Sequence, residues 1–209
     1  MIKLFRPVEN KVYIAVSGGC DSMAALSFLS NSPRRTVEAL YFNHSTEYSN
    51  LAEEVVERFC SDKNIKLYKG KLTEQKDKRK SPEEFWREQR YKFFNDFKDK
   101  PIITAHHLDD VVEWYLFSSF NGNAKLINYQ RENIIRPFLI TEKTDLYEWC
   151  LKHKVPYLED QSNKDTKYAR NRIRHNIIPE VLKINPGIKK NIKKLLLQIG
   201  DPNVGNTKR

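Results

Sequence analysis

Apolar and polar positions alternate along this chain in blocks of two different periods. Val12-Tyr13-Ile14-Ala15-Val16 is an unbroken apolar run. With no polar alternation, it predicts a strand buried on both faces. Ser17-Gly18-Gly19 then breaks the run, and Met23, Leu26 and Leu29 mark a helix. Thr36–Asn43 reads as a second strand. Leu51, Val55 and Phe59 recur at helical spacing beneath Glu53, Glu54, Glu57 and Arg58, which predicts an amphipathic helix. A short third strand is expected at 65–69. Residues 71–80 are charged and aperiodic, and read as a mobile surface loop. Ser81-Pro82-Glu83-Glu84 has the form of a helix start, with Trp86, Phe93 and Phe97 as its apolar stripe. Residues 102–105 predict a strand, Leu108–Phe120 a helix, 133–139 an extended segment and 144–153 a further helix.

Strand-then-helix order, repeated, predicts an α/β fold: a parallel twisted sheet with helices on both faces. Ligands of such sheets bind at the carboxyl ends of the strands, so chemistry belongs just after Val16, Asn43 and Ala105. The predicted division is a catalytic domain at 1–160 and a basic helical extension at 161–209.

The chain has 209 residues, a net charge of +10 and 31% charged residues, which favours a polyanionic partner. Residues 170–209 carry ten Lys or Arg against Glu180 and Asp201, so the excess is concentrated there. Cys20, Cys60 and Cys150 are odd in number and show no CxxC spacing, which speaks against a disulfide framework or a zinc or iron–sulfur site. No apolar stretch is long enough to span a membrane, and a cytoplasmic protein is expected.

Three strand ends carry unusual residues. Ser17-Gly18-Gly19-Cys20-Asp21-Ser22 follows the first strand. A tight turn that exposes backbone N–H groups at a helix start is an anion site, and phosphate is its natural guest. Asp21 would repel phosphate unless a cation intervened, which argues for Mg²⁺ between the two. The motif is neither GxGxxG nor GxxxxGK[ST], so dinucleotide and Walker-type loops are disfavoured. After Ala105 come His106, His107, Asp109 and Asp110, with Glu113 one turn on. That cluster suits a metal, a cationic substrate or a proton transfer, and Asp110 and Glu113 share a helix face. Arg170, Arg172 and Arg174 alternate with Asn171 and Ile173, and suit phosphate contacts opposite a departing pyrophosphate. Arg87, Arg90 and Tyr91 lie on one face of the 82–91 segment.

The strand–SGGCDS–helix unit resembles the pyrophosphate loop of the N-type ATP pyrophosphatases, the PP-loop or adenine nucleotide alpha hydrolase-like fold. The blocks SGGCDS (17–22), PEEFWREQRY (82–91), TAHHLDD with Glu113 (104–113), Arg136-Pro137 and DQSNKDTKYARNRIRHNIIP (160–179) together resemble the catalytic N-terminal domain of the tRNA(Ile)-lysidine synthetases. The resemblance implies a ligase that releases AMP and pyrophosphate: ATP adenylates the wobble cytidine of an isoleucine tRNA with a CAU anticodon, and free L-lysine then attacks to give lysidine. It implies ATP and Mg²⁺ as cofactors, the cation on Asp21. It places Ser17, Gly18, Gly19, Cys20, Asp21, Ser22, Phe42, Asn43, His44 and His106 at the nucleotide. Asp21, Arg87, His106, Asp110, Glu113, Arg172 and Arg174 become the catalytic set, with Asp110 and Glu113 holding lysine and taking its proton. The family usually carries Asp where this chain has Asn43, and a longer glycine-rich loop where it has 121–130. A thiolase of the same superfamily, or a tRNA-binding relative without catalysis, are the alternatives. A homodimer gripping one tRNA is compatible with the charge.

Overall fold

The computed structural model describes residues 1–74, 81–161 and 165–200. The first apolar run becomes β1 (Lys11–Val16), followed by α1 (Cys20–Ser30), β2 (Thr36–Asn43), α2 (Glu47–Asp62) and β3 (Leu67–Lys71). Then come α3 (Pro82–Phe94), β4 (Ile102–Ile103), α4 (Leu108–Phe120), β5 (Gln130–Arg131), β6 (Ile134–Ile135) and α5 (Lys143–His153). The basic segment forms α6 (Ala169–Arg172), a π-helical turn at Ile173–Ile177, α7 (Ile178–Ile184) and α8 (Ile188–Gly200).

The sheet runs β3-β2-β1-β4-β6-β5 and is parallel except for the β5–β6 pair. Strand order turns between β1 and β4, which pair directly through Tyr13–Ile102 and Ile14–Ile103. Such a switch point opens a crevice beyond the carboxyl ends of the two strands.

Alternation along β1 explains the layers. Val12, Ile14 and Val16 face α1, α2 and α5, meeting Met23, Leu26, Leu29, Val56 and Leu146. Tyr13 points the other way, to Leu40, Ile102, Ile134 and Phe94 of α3. Met23, Leu26 and Leu29 are wholly buried, each worth about 1.5–3 kcal/mol of transfer free energy. A third cluster joins Leu108, Val111 and Val112 of α4 to Ile192 and Leu196 of α8.

Several expectations shift. The third strand lies two residues later than 65–69. Helix α2 buries Ala52, Val56, Phe59 and Cys60 and leaves Leu51 exposed. The small Ala52 is needed there, because a Cβ on Gly18 would lie 2.7 Å from the Ala52 Cβ. Helix α3 starts as predicted, with Ser81 capping Glu84 N at 3.2 Å, but Phe85 and Phe94 are its buried aromatics. In the 133–139 segment only Ile134–Ile135 is strand, and its antiparallel partner β5 was not foreseen. Residues 75–80 of the expected loop, 162–164 and 201–209 lie outside the described residues.

Candidate functional site

A cleft of about 1410 Å³ opens beyond the carboxyl ends of β1, β2 and β4. Its floor is the loop after β1. Gly18 has φ +78°, a conformation that favours glycine, and a side chain there would also strike Ala52. Gly19 is extended, with its nearest contact for an added Cβ at 3.6 Å, and so is not required sterically. No side chain caps α1, so first-turn N–H groups, which a helix cannot satisfy internally, are left for a ligand. The Ser22 hydroxyl is engaged within the loop: it accepts from Ser17 N at 3.1 Å and donates to Gly19 O at 3.0 Å. Ser17 Oγ lies 3.2 Å from it. Ser22 therefore braces the cradle from within.

Asp21 lines the cleft with Oδ2 3.4 Å from His107 Nε2 and Oδ1 buried without a partner. Burial works against the Asp21 carboxylate, but His107, Lys143 and Arg174 outweigh it and hold its pKa below the usual range. His107 is buried, which opposes its charge, yet Asp110, Asp21 and Asp109 raise it overall.

The start of α4 supplies the acids. Asp110 Oδ2 accepts from His107 N at 3.0 Å, while Oδ1 lies 3.3 Å from Arg174 Nη2. Glu113 Oε2 lies 2.7 Å from the same nitrogen and accepts from Arg174 Nε at 2.9 Å. Burial pushes Glu113 up, and Arg174 only partly offsets that. Asp109 takes a structural part instead: it accepts from Lys143 N at 2.9 Å and pairs with Lys189 of α8 at 2.5 Å. His106 shares a 2.9 Å contact with Thr104 Oγ1, and burial pushes its pKa down to about 4.

The basic motif is helical, which sets its three arginines on different faces. At helical pitch Arg170 and Arg174 share a face and line the cleft, whereas Arg172 is exposed and does not. Asn43 is likewise outside the cleft lining. It is 2% exposed and organises the β2–α2 turn: Oδ1 accepts from Ser45 N at 2.7 Å and Ser49 Oγ at 2.8 Å. Its Nδ2 donates to Asn50 Oδ1 at 3.0 Å and Glu53 Oε2 at 2.5 Å. Phe42 and His44 do line the cleft. His44 packs 5.1 Å from Phe42 and 5.6 Å from Trp86, and burial brings its pKa down to about 4.

Two lining residues escaped the sequence-based site set. Arg90 and Arg136 join Arg87 on the α3 side of the cleft. Their signal was present in the basic pair of α3 and in Arg136-Pro137, but basic side chains are common in a chain this charged. Cys20 also lines the cleft, its Sγ 3.8 Å from that of Cys150. Among the described residues no group of three or more His, Cys, Asp or Glu is placed to hold a metal ion by itself, and no helix is long and apolar enough to cross a membrane.

A family model described as the PP-loop domain matches residues 2–181. The chain is 35% identical over 200 residues to a tRNA(Ile)-lysidine synthase of Thermotoga maritima, covering 88% of this chain and 48% of that protein. It is 32% identical over 192 residues to one of Staphylococcus aureus, covering 83% and 44%. The chain thus spans about half the length of the curated relatives it matches. Among solved structures it resembles the U34-tRNA thiolase NcsA from Methanococcus maripaludis, with a TM-score of 0.72 at 17% identity over 97% of this chain and 75% of that one. An NH3-dependent NAD synthetase from Campylobacter jejuni gives 0.51 at 15% identity, over 96% and 88%. At those identities the likeness is one of fold.

Proposed function

The chain belongs to the PP-loop domain family, and from that premise we propose that it forms lysidine on an isoleucine tRNA with a CAU anticodon, using ATP and free L-lysine. The observation that carries the reading is the meeting of two units in one cleft: the amide-rich loop at Ser17–Ser22 and the Asp110–Glu113 pair held against a nitrogen cation. The similarity to tRNA(Ile)-lysidine synthases supports it.

In the first step the cytidine C2 oxygen attacks the α-phosphorus of ATP and pyrophosphate leaves. The bare amides of the loop and the start of α1 receive the departing negative charge. Asp21 suits a magnesium ion, since its buried Oδ1 lacks a partner and Mg²⁺ binds through few carboxylates plus substrate phosphates. Such an ion would neutralise phosphate charge. His106 stays neutral near pH 7 and offers a nitrogen to the cleft.

In the second step the lysine ε-amine attacks C2 and AMP leaves. Only the neutral amine is a nucleophile, so a base must accept its proton. Asp110 and Glu113 suit both tasks, holding the ammonium and then taking the proton. The raised pKa of Glu113 moves it toward the operating range of such a base. Arg174 already lies against both acids, so the pair is built to hold a nitrogen cation. The cytoplasm is the proposed location, where tRNA and ATP meet.

Mass spectrometry of nucleosides after incubation with the tRNA, ATP and labelled lysine tests the reading. Labelled lysidine is the expected product. A thiolated base, or unmodified cytidine from folded protein, would refute it.

A further inference from the structure

The arginines lining the cleft differ in what neutralises them. Arg174 is matched by Asp110 and Glu113. Arg87, Arg90 and Arg136 are not: among the described residues no carboxylate pairs with any of them. All three line the same cleft as Tyr91, which Arg87 contacts directly. The Tyr91 hydroxyl lies 3.1 Å from Arg87 Nη2, and the Arg87 guanidinium sits 4.8 Å from the centre of the Tyr91 ring. Arg136 is 6% exposed, and its Nη1 donates to Asn128 O at 2.9 Å, which fixes the guanidinium in place.

We infer that Arg87, Arg90 and Arg136, which line one cleft with Tyr91, form a second oxyanion site in it, one that takes a phosphate group of the substrates. A phenol and a backbone carbonyl satisfy donors but neutralise no charge. Arg90 and Arg136 are partly desolvated, so their like charges repel more than they would in water, and an anion between them reverses the sign. Guanidinium forks match phosphate oxygens in pairs, so this trio is suited to a tetrahedral oxyanion and not to a metal or a cation. Desolvation pulls Arg90 and Arg136 below the usual arginine range, as befits cations lacking their counter-charge. The neighbouring imidazoles do not supply one: burial keeps His44 and His106 neutral near pH 7, and Arg90 disfavours the charged form of both.

This site is distinct from the loop after β1. The loop offers backbone amides, while the α3 wall offers side-chain cations. A cleft that brings a nucleoside triphosphate and an RNA strand together needs two such places, and in this respect the inference rests on the function proposed above. The phosphate belongs either to the triphosphate or to the RNA backbone beside the target nucleotide.

Binding titrations separate the two sources. Wild type and the variants Arg87→Gln, Arg90→Gln, Arg90→Lys and Arg136→Gln are titrated with a non-hydrolysable ATP analogue. They are titrated separately with a short anticodon stem-loop RNA. Arg34→Gln serves as the charge-matched control, since Arg34 is exposed in the turn before β2, at the far end of the sheet. Each Gln variant should weaken one probe by about tenfold or more. Arg90→Lys should recover part of the loss, and the control should stay at the wild-type value. Loss confined to the ATP analogue assigns the site to the nucleotide, and loss confined to the RNA assigns it to the backbone. In the RNA case the salt dependence should flatten by about one contact per arginine removed, a readout that a packing defect would not move. If neither probe loses more than about twofold in any variant, the site is refuted. Arg87 is exposed, so its variant folds even where Arg136→Gln does not. If wild type makes no lysidine while the ATP analogue still discriminates the variants, the proposed reaction fails and the oxyanion site stands.

Discussion

Replacing Asn43 by Asp distinguishes a side chain that serves the turn from one that serves a nucleotide. Ser45 N can only donate, so its 2.7 Å contact fixes the acceptor side of the Asn43 amide. The other side must donate, and it meets Asn50 Oδ1 at 3.0 Å and Glu53 Oε2 at 2.5 Å. An Asp keeps both acceptor roles, loses both donor roles, and sets a carboxylate oxygen against that of Glu53. Losing a hydrogen bond to a charged group costs about 1.5–3 kcal/mol. Repulsion between two charges about 4 Å apart adds up to about 4 kcal/mol near a protein surface. Lys69, whose Nζ lies 2.9 Å from Glu53 Oε1, reduces that figure. Proton uptake by the pair limits it further, at about 1.4 kcal/mol per unit of raised pKa. Urea unfolding near neutral pH should therefore show a net loss of about 3 kcal/mol.

The pH dependence has a definite sign. In the wild type, burial opposes the Glu53 carboxylate but Asn43 and Lys69 hold its pKa below the usual value. That stabilisation is present above the unfolded pKa and is lost as pH falls through the folded one. In the variant the folded pair shares a proton and its pKa is raised, so its penalty grows as pH rises through that value. The gap between the two proteins must narrow from about pH 7 to about pH 4. Glu53→Gln in the same chain should restore most of the loss, because its amide can donate to the new carboxylate. Wild-type stability of Asn43→Asp at neutral pH would refute the reasoning. So would failure to bind an ATP analogue with the unfolding curve unchanged, which would return Asn43 to the nucleotide.

Gly18→Ala should unfold at lower denaturant, by about 2 kcal/mol or more, because positive φ and the overlap with Ala52 both oppose a side chain; Gly19→Ala, in the same unfolding assay, should stay within about 1 kcal/mol. Arg174→Met should leave Glu113 buried without its cation and cost about 2–4 kcal/mol near neutral pH. That cost should shrink under acid, as the raised Glu113 pKa lets the carboxyl neutralise, and urea curves at two pH values check it. Imidazole NMR should show His44 and His106 titrating near 4 and still neutral at about pH 5.5, whereas His107 keeps its proton above the ordinary histidine value.

Much of this molecule is legible in its sequence because burial writes itself as periodicity. The unbroken run at β1, the Ser81-Pro82 start of α3 and the alternation of strands with helices carry direct physical signals, and the switch point follows from them. The β5–β6 hairpin carried no such signal, since strands of two residues are too short to show a period. The buried stripe of α2 was displaced because Ala52 is a weak hydrophobic marker, and its burial is decided by Gly18, more than thirty positions away. At the site, residue type was readable and partnership was not. Arg174 and Arg90 look alike in a sequence, and only the fold brings two acids to the first and, among the described residues, none to the second. Asn43 illustrates the same limit: its role depends on Glu53, a residue on the next helix.

The π-helical turn at Ile173–Ile177 has a consequence for how this segment tolerates change. Such a turn is equivalent to one extra residue slipped into an α-helix. It rotates everything after it by roughly 100° relative to what precedes it. Arg170 before the turn and Arg174 within it look into the cleft; downstream, Ile178 and then Ile188 lie against the α4 cluster. Deleting the exposed Asn176 would remove no named side-chain contact by itself. It would still swing one half of the segment out of phase with the other, so that cations and greasy side chains compete for the same side. Sequence length in this stretch is therefore as constrained as sequence identity.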